Sequence, residues 1–166
     1  MGDLSYISKK TKSGFLILGA YQILGGMTGI ILAGLHAYSH NRGMILFLLL
    51  AFLFFGYSIL CGVLLIKTNV MALRLSLVNF LLQLVGWTIL GFGFEYISGA
   101  FISVGIELTG PAKFDVTFGL SNFHLTFNRD PEKFVIGFNL IALYLLFYTD
   151  RLSRKVKSEK ETQELF

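Results

Sequence analysis

Long apolar runs dominate this sequence and constrain its fold more than any other feature. A helix needs roughly 20 apolar residues to cross a bilayer core of about 30 Å. Three runs reach that length, namely Gly14–Tyr38, Met44–Ile66 and Ala72–Phe94. A fourth run, Phe134–Thr149, is shorter, but a helix over residues 130–154 is long enough. The sequence therefore predicts four transmembrane helices.

The start of the fourth helix is predicted from three residues that precede its apolar run. Asp130 is suited to cap a helix, Pro131 to the first helical position, and Glu132 to the positive end of the helix dipole. Composition agrees with a membrane protein, since 54% of the residues are hydrophobic and only 14% are charged. The predicted fold is an all-α membrane protein with a small β insert.

The predicted organisation has four parts. Residues 1–96 contain a cytoplasmic N-terminus and the first three transmembrane helices. Residues 97–129 form an extracytoplasmic β segment. The fourth transmembrane helix covers residues 130–154, and residues 155–166 are a charged cytoplasmic tail.

The distribution of basic residues predicts the orientation. With four spans, ten of the 14 Lys and Arg residues share one side of the membrane. They are Lys9, Lys10, Lys12, Lys67, Arg74, Arg151, Arg154, Lys155, Lys157 and Lys160. Because basic residues near span ends are retained in the cytoplasm, we expect both termini to be cytoplasmic, in a plasma (inner) membrane. The net charge of +4 is then a signal of topology, and no nucleic-acid partner is expected.

The segment between the third and fourth predicted helices has a pattern typical of strands. Apolar and polar residues alternate with period two, and the parity of the alternation changes after Leu120. A two-residue turn at Ser121 and Asn122, with an earlier turn around Gly110, would keep the apolar side chains on one face. The sequence therefore predicts a three-stranded antiparallel meander. Its predicted covered face consists of Val104, Ile106, Phe114, Val116, Phe118, Leu120, Phe123, Leu125 and Phe127.

An apolar face of that size has to be covered. The outer ends of the helices, the membrane interface or a second protomer could each cover it. Two roles follow for the segment: a lid that caps the helices, or an external surface for sensing or docking.

Small residues recur every four positions in the first predicted helix, at Gly25, Gly29, Ala33 and Ala37. Such a stripe lets two membrane helices approach closely. The sequence does not decide between packing within the chain and contact between copies in a homo-oligomer.

Four amide side chains lie within the predicted spans: Gln22, Asn79, Gln83 and Asn139. Buried amides usually form hydrogen bonds between helices, with roughly 1 kcal/mol for each bond. A transport path would normally include ionisable groups at depth, and the centres of these spans contain none. Hydrogen bonding between helices is therefore the favoured interpretation.

A weak metal-binding pattern lies near the predicted outer surface. His36 and His40 are one helical turn apart, and Glu95 and His124 could complete a ligand set. The sequence lacks the G-x-x-x-x-G-K, G-x-S-x-G and H-E-x-x-H motifs. We therefore expect no metal, no cofactor and no enzymatic activity.

The predicted function is a non-catalytic membrane protein. It would act as a homo-oligomer, or as a subunit or sensor of a membrane complex, through its external sheet and small-residue stripe. One alternative is a small channel or transporter formed between protomers, with Asn79 and Gln83 along the path. A less favoured alternative is a metal-dependent membrane enzyme that uses His36 and His40. The expected partners are the lipid bilayer and either further copies or a larger protein.

Overall fold

The computed structural model describes residues 7–39, 45–127 and 132–164. In chain order the elements are α1 (Lys9–Ser39), α2 (Ile45–Ile66), α3 (Val70–Leu82), β1 (Val85–Ile89), β2 (Phe92–Glu107), β3 (Lys113–Thr126), β4 (Val135–Asn139) and α4 (Leu140–Glu164). Two helices in the described residues, α1 and α2, are long and apolar enough to cross a membrane. The prediction of four transmembrane helices and a three-stranded meander is therefore wrong, because the described parts of the chain form two such helices and a four-stranded antiparallel sheet.

The third predicted span is a short helix followed by two strands. Helix α3 begins after Asn69, whose side-chain oxygen accepts a hydrogen bond from the Met71 amide at 3.0 Å. It ends at Leu82. Strands β1 and β2 are joined by Leu90 and Gly91, which have φ angles of 52° and 83°. Two positive φ angles in a two-residue loop form the turn that matches the twist of a β-hairpin.

The fourth predicted span is also divided between a strand and a helix. Asn139 ends β4 and caps α4, because its side-chain oxygen accepts hydrogen bonds from the amides of Ile141 (3.1 Å) and Ala142 (3.3 Å). Asp130 and Pro131, the predicted start of this helix, lie outside the described residues. The helix begins at Leu140 and continues without a break through the charged tail to Glu164.

A bulge replaces the predicted turn at Ser121 and Asn122. Strand β3 continues through both residues and pairs with β2 along its length. Between the pairs Ile97–Asn122 and Ala100–Leu120 the register shifts by one residue, so that two residues of β2 lie opposite Ser121 alone. A one-residue bulge changes the alternation just as a two-residue turn does. The change of parity was a real signal, but its interpretation as a turn was wrong.

The sheet has the strand order β1-β4-β2-β3, with an additional pairing between β1 and β2. Strand β2 bends so that its start pairs with β1 and its end pairs with β4. Because β1 also pairs with β4, these three strands close into a ring. Strand β3 pairs with the outer side of β2 and forms the edge of the sheet.

Two apolar clusters form the core of the structure. The first joins all four helices and includes Phe15, Leu65, Phe80 and Leu152. The second joins α1 and α2 to the sheet and includes Phe55, Tyr96 and Phe123 as well as smaller side chains. The remaining outward-facing residues of α1 and α2 are mostly apolar as well: Leu16, Ile17, Leu24, Met27, Ile31, Leu35, Ile45, Leu46, Leu49, Phe52, Leu53 and Leu60 are all exposed. An apolar exterior of this kind is what lipid contact requires.

The sheet reaches the middle of α1. Gly25, which is near the centre of this 31-residue helix, contacts the bulge of β2 so closely that a Cβ atom there would lie 2.5 Å from the Gly99 nitrogen. Helix α4 packs on the first half of α1, where Gly14 contacts Tyr148 and Leu152. The first half of α1 therefore packs among helices. The second half of α1 packs on α2 and on the sheet, which lies where α3 and α4 would otherwise continue.

Candidate functional site

A buried network of polar side chains joins three helices to the sheet. Asn79 lies at its centre and donates to Gln22 Oε1 (3.0 Å) and to Ser58 Oγ (3.2 Å). Gln22 in turn donates to Ser76 Oγ at 2.8 Å. The hydroxyl of Tyr96 is 3.0 Å from Asn79 Oδ1 and 2.9 Å from the carbonyl oxygen of Phe54. One residue of α3 thus binds side chains from α1, α2 and β2.

The network extends into the bulge of the sheet. The Ser98 amide donates to Gln83 Oε1 at 2.8 Å, and the Ser98 hydroxyl donates to Ser58 Oγ at 2.9 Å. Ser121 Oγ accepts a hydrogen bond from the Gly99 amide (2.9 Å) and donates to the carbonyl oxygen of Gly25 (2.8 Å). The bulge exposes backbone groups that no strand pairs, and these side chains bind them.

The network contains three of the four amides that the sequence singled out. Gln22, Asn79 and Gln83 lie together, whereas Asn139 caps α4 at the edge of the sheet. The sequence interpretation did not identify the partners of these amides, which are Ser58, Ser76, Tyr96 and Ser98, nor Ser121, which links the bulge to Gly25. Serines inside long apolar runs were the available signal. Within the described residues, Gln83 Nε2 is a buried network atom without a hydrogen-bond partner.

The small-residue stripe of α1 makes its contacts inside the chain. Gly25 contacts the bulge, and a Cβ atom at Gly29 would lie 2.1 Å from the Phe55 ring. Ala33 is buried in the second apolar cluster, and Ala37 is half-buried.

Three glycines outside the stripe bring α1 close to α2. A Cβ at Gly19 would lie 2.8 Å from the Gly62 oxygen, and a Cβ at Gly62 would lie 2.6 Å from the Gly19 oxygen. Gly26 approaches the Phe55 oxygen in the same way. Gly19, Gly26 and Ala33 are seven residues apart, and this spacing was a signal that the sequence interpretation missed.

The residues of the predicted covered face are divided between the interior and the surface. Phe123 is buried and Leu125 is half-buried against α2. Val104 and Ile106 are half-buried. In contrast, Phe118 is 82% exposed and Phe114 is 76% exposed, and Val116, Leu120 and Phe127 are exposed as well. The bulge keeps the polar residues Asp115, Thr117 and His124 on the opposite face, where they line one cavity. The division of the apolar residues therefore runs along the strand, because α1 and α2 cover Phe123 and Leu125 but leave residues 114–120 exposed.

Four of the exposed residues form a continuous patch. Phe114, Val116, Phe118 and Leu120 alternate along β3, and we call them the β3 apolar strip. Strand β3 pairs with β2 on one side, and none of the described residues forms a strand on its other side. Near Ser121 the strand borders a cavity of about 560 Å³ that α1 also lines. Beyond this cavity, none of the described residues pairs with the edge of β3 over residues 113–120.

The four metal-ligand candidates do not form a metal site in the described residues. His36 and His124 both line the cavity of about 560 Å³, and the His36 ring packs against Phe47. Glu95 is hydrogen-bonded to Asn122 Nδ2. His40 lies outside the described residues. No group of three His, Cys, Asp or Glu residues in the described parts of the chain is arranged to hold a metal ion.

A polar cavity of about 280 Å³ lies on the other face of the sheet. A row of cross-strand partners, Gly86, Gly137 and Gly105, forms part of its wall and leaves the space open. Carboxylates, hydroxyls, an imidazole and an ammonium group surround this space, from Glu95, Ser103, Glu107, Asp115, Thr117, His124 and Lys133. Burial raises the pKa of the Glu95 carboxyl, and its hydrogen bond to Asn122 acts in the opposite direction.

No protein-family model matches this chain, and neither does any curated protein or solved structure. Its function is therefore inferred from the geometry of the polar network, the two cavities and the edge of the sheet.

Proposed function

We propose that this chain is a non-catalytic integral membrane protein that works by assembly, and that a second copy pairs with the free edge of β3. In this proposal α1 and α2 cross the membrane as a hairpin. Both ends of the chain are cytoplasmic, in agreement with the basic residues near Lys10 and Lys155. The observation that carries the proposal is the edge of β3, with which no described strand pairs and which also carries the exposed β3 apolar strip.

The position of the sheet beside the middle of α1 supports the proposal that the edge of β3 needs a partner. The hydrogen bond from Ser121 to the Gly25 carbonyl lies near the middle of α1, and the free edge begins at the next residue. Backbone N–H and C=O groups that face hydrocarbon without a partner cost several kcal/mol each. Pairing with another strand provides hydrogen bonds to these groups and covers apolar side chains.

The sequence of β3 is compatible with pairing to itself. In an antiparallel pair around a two-fold axis, the same surface serves both copies. With Thr117 on the axis, Val116 lies opposite the second copy's Phe118, and Phe114 opposite the second copy's Leu120. Asp115 lies opposite Gly119, so no like charges are directly opposed. Both apolar strips then form one surface.

Cysteine cross-linking tests this proposal. Thr117→Cys alone, and Asp115→Cys together with Gly119→Cys, are introduced with Cys61→Ala, which removes the native thiol. We expect oxidation in membranes to give a covalent dimer, most efficiently at Thr117 because it lies on the axis.

The matched control is Thr162→Cys on exposed α4, which should remain monomeric. A monomeric mass in detergent, together with no cross-link at any of the three β3 positions, would contradict the proposal. A cross-link to a different polypeptide would show that β3 is a docking edge, but it would contradict pairing with a second copy.

A channel between protomers receives less support. Asn79 and Gln83, the residues that would line its path, are buried inside a single chain. Both donors and the acceptor oxygen of Asn79 interact within that chain. A path between copies would need the amides of Asn79 and Gln83 on the surface of the chain, whereas they face its interior.

A further inference from the structure

A cavity of about 380 Å³ lies between the first turn of α1 and the middle of α4. It is lined by Lys10, Tyr148, Arg151, Leu152 and Lys155. The four residues from α4 follow the pattern i, i+3, i+4, i+7 and therefore share one face of the helix. Three of the five lining side chains are cations, and Tyr148 adds a hydroxyl.

The charge of this cavity is only weakly neutralised by neighbouring carboxylates. Lys155 approaches Glu159 at 3.9 Å, the long limit for an ion pair. Glu159 is engaged more closely by Ser8, whose hydroxyl donates to it at 2.7 Å. Within the described residues, Lys10 and Arg151 form no ion pair. The cavity therefore presents positive charge to an anion.

The surface above the cavity is apolar. Tyr144, one turn from Tyr148 towards the sheet, is exposed and stacks on it with ring centroids 6.3 Å apart. Phe147, one turn before Arg151 on α4, is exposed as well. Cations next to a hydroxyl at one end, with aromatic side chains at the other, match an amphipathic anion.

We propose that this cavity binds the phosphate of an anionic phospholipid, with Lys10, Arg151 and Lys155 around the phosphate and an acyl chain along Tyr144 and Tyr148. Basic pockets between helices on the cytoplasmic side of a membrane bind such headgroups. Arg151 provides a planar, multi-donor group suited to phosphate oxygens. The proposal depends on the membrane-spanning assignment of α1 and α2, but not on pairing through β3.

Native mass spectrometry of the full chain in detergent tests this site. The probes are phosphatidylglycerol, phosphatidylcholine and inorganic phosphate, and we expect only phosphatidylglycerol to remain bound. Two neutralised cations should weaken its binding by roughly 30-fold, since each basic residue near a membrane surface contributes about fivefold. The test variant is Lys10→Gln with Arg151→Gln.

The matched control is Lys157→Gln with Lys160→Gln, which removes the same charge from exposed positions of α4 outside the cavity. We expect it to retain phosphatidylglycerol within about threefold of the wild type, because its positions do not contact the cavity. Equal losses in both double variants would overturn the proposal in favour of diffuse surface attraction. Retention of inorganic phosphate as strong as that of the lipid would overturn it in favour of a soluble phosphate ligand. The β3 cross-link should form in both double variants, so failure at this site is distinguishable from failure of the assembly.

Discussion

Replacing Gly25 with alanine would test whether the sheet is seated on the middle of α1. The new Cβ would lie 2.5 Å from the Gly99 nitrogen and 2.7 Å from the Ser98 carbonyl carbon. Both are backbone atoms, so no side-chain rotation can relieve the contact. Gly99 has a φ angle of 106°, which restricts how the bulge can shift.

The expected magnitude combines opposing effects. Alanine gains about 1 kcal/mol over glycine inside a helix. Overpacking costs about 1–3 kcal/mol, and displacement of the bulge weakens the Ser121–Gly25 hydrogen bond, which contributes about 1 kcal/mol. We therefore expect Gly25→Ala to lower the free energy of unfolding by about 1–3 kcal/mol.

Gly34→Ala is the matched control on the same helix, because among the described residues no heavy atom outside the adjacent helix backbone lies within 4 Å of the Cβ it would add. It should gain up to about 1 kcal/mol. Unfolding of both variants in detergent can be followed by the fluorescence of Trp87, the single tryptophan, which lies on β1. If Gly25→Ala is as stable as Gly34→Ala, the sheet does not contact α1 at this position and the described packing is refuted.

Further predictions concern the network, the polar cavity and the β3 apolar strip. Tyr96→Phe removes the hydroxyl that contacts Asn79 and should cost about 1–3 kcal/mol in denaturant unfolding, whereas the exposed Tyr144→Phe should change stability by less than about 0.5 kcal/mol. Burial raises the pKa of Glu95 above its unfolded value of 4.5, so the folded chain binds this proton more tightly and stability falls as pH rises through the raised pKa. Glu95→Gln should remove that fall, and an unchanged pH profile of unfolding would contradict it. Phe118→Ser should leave the unfolding of the monomer nearly unchanged, because the side chain is 82% exposed, and should reduce the β3 cross-link; a full cross-link would argue against a role for this side chain.

The first two helices could be predicted from the sequence because length and hydrophobicity define them. The third run could not be divided in the same way. Residues 85–94 are apolar without a clear period, and such a segment cannot be told from a buried helix by periodicity. The useful signals were local: Gly86, Gly91 and Gly93 each lower helix propensity by about 1 kcal/mol, and Trp87, Thr88 and Ile89 favour a strand.

The bulge shows a limit of the alternation pattern itself. A turn after Leu120 and a one-residue bulge opposite Ser121 shift the parity of the apolar residues identically. What distinguishes the bulge from a turn is the contact of Gly99 and Ser121 with Gly25. Gly25 is about 75 to 95 residues away from them along the chain. Long-range contacts of this kind decide between the two structures.

The polar network could be predicted only in part for a similar reason. Amides in apolar runs are conspicuous, and Gln22 and Asn79 were identified individually. The serine partners are small residues that also occur on helix surfaces, where their hydroxyls bind the helix backbone, as Thr28 does to the Leu24 oxygen at 2.8 Å. Which of the two roles a hydroxyl adopts depends on the packing of other elements.

The short helices and the open edge are best understood together. The apolar part of α4, Leu140–Thr149, is about 15 Å long at 1.5 Å per residue, roughly half a bilayer core. A helix that ends at such a depth must have its terminal groups bound by protein. Asn139 caps α4, and its amide donates to the Leu84 oxygen at 2.9 Å just beyond the end of α3.

At the junction of the helices and the sheet, the chain therefore provides hydrogen bonds to its own backbone groups. The edge of β3 over residues 113–120 has no such provision in the described residues. If α1 and α2 cross the membrane and this edge lies in hydrocarbon, another strand has to pair with it. If the protein is a monomer in the bilayer, the same rule requires the edge to lie in the interface or in water. Amide hydrogen exchange of β3 in lipid nanodiscs distinguishes these cases. Pairing protects those amides of residues 113–120 that point away from β2, whereas contact with water leaves them open to exchange.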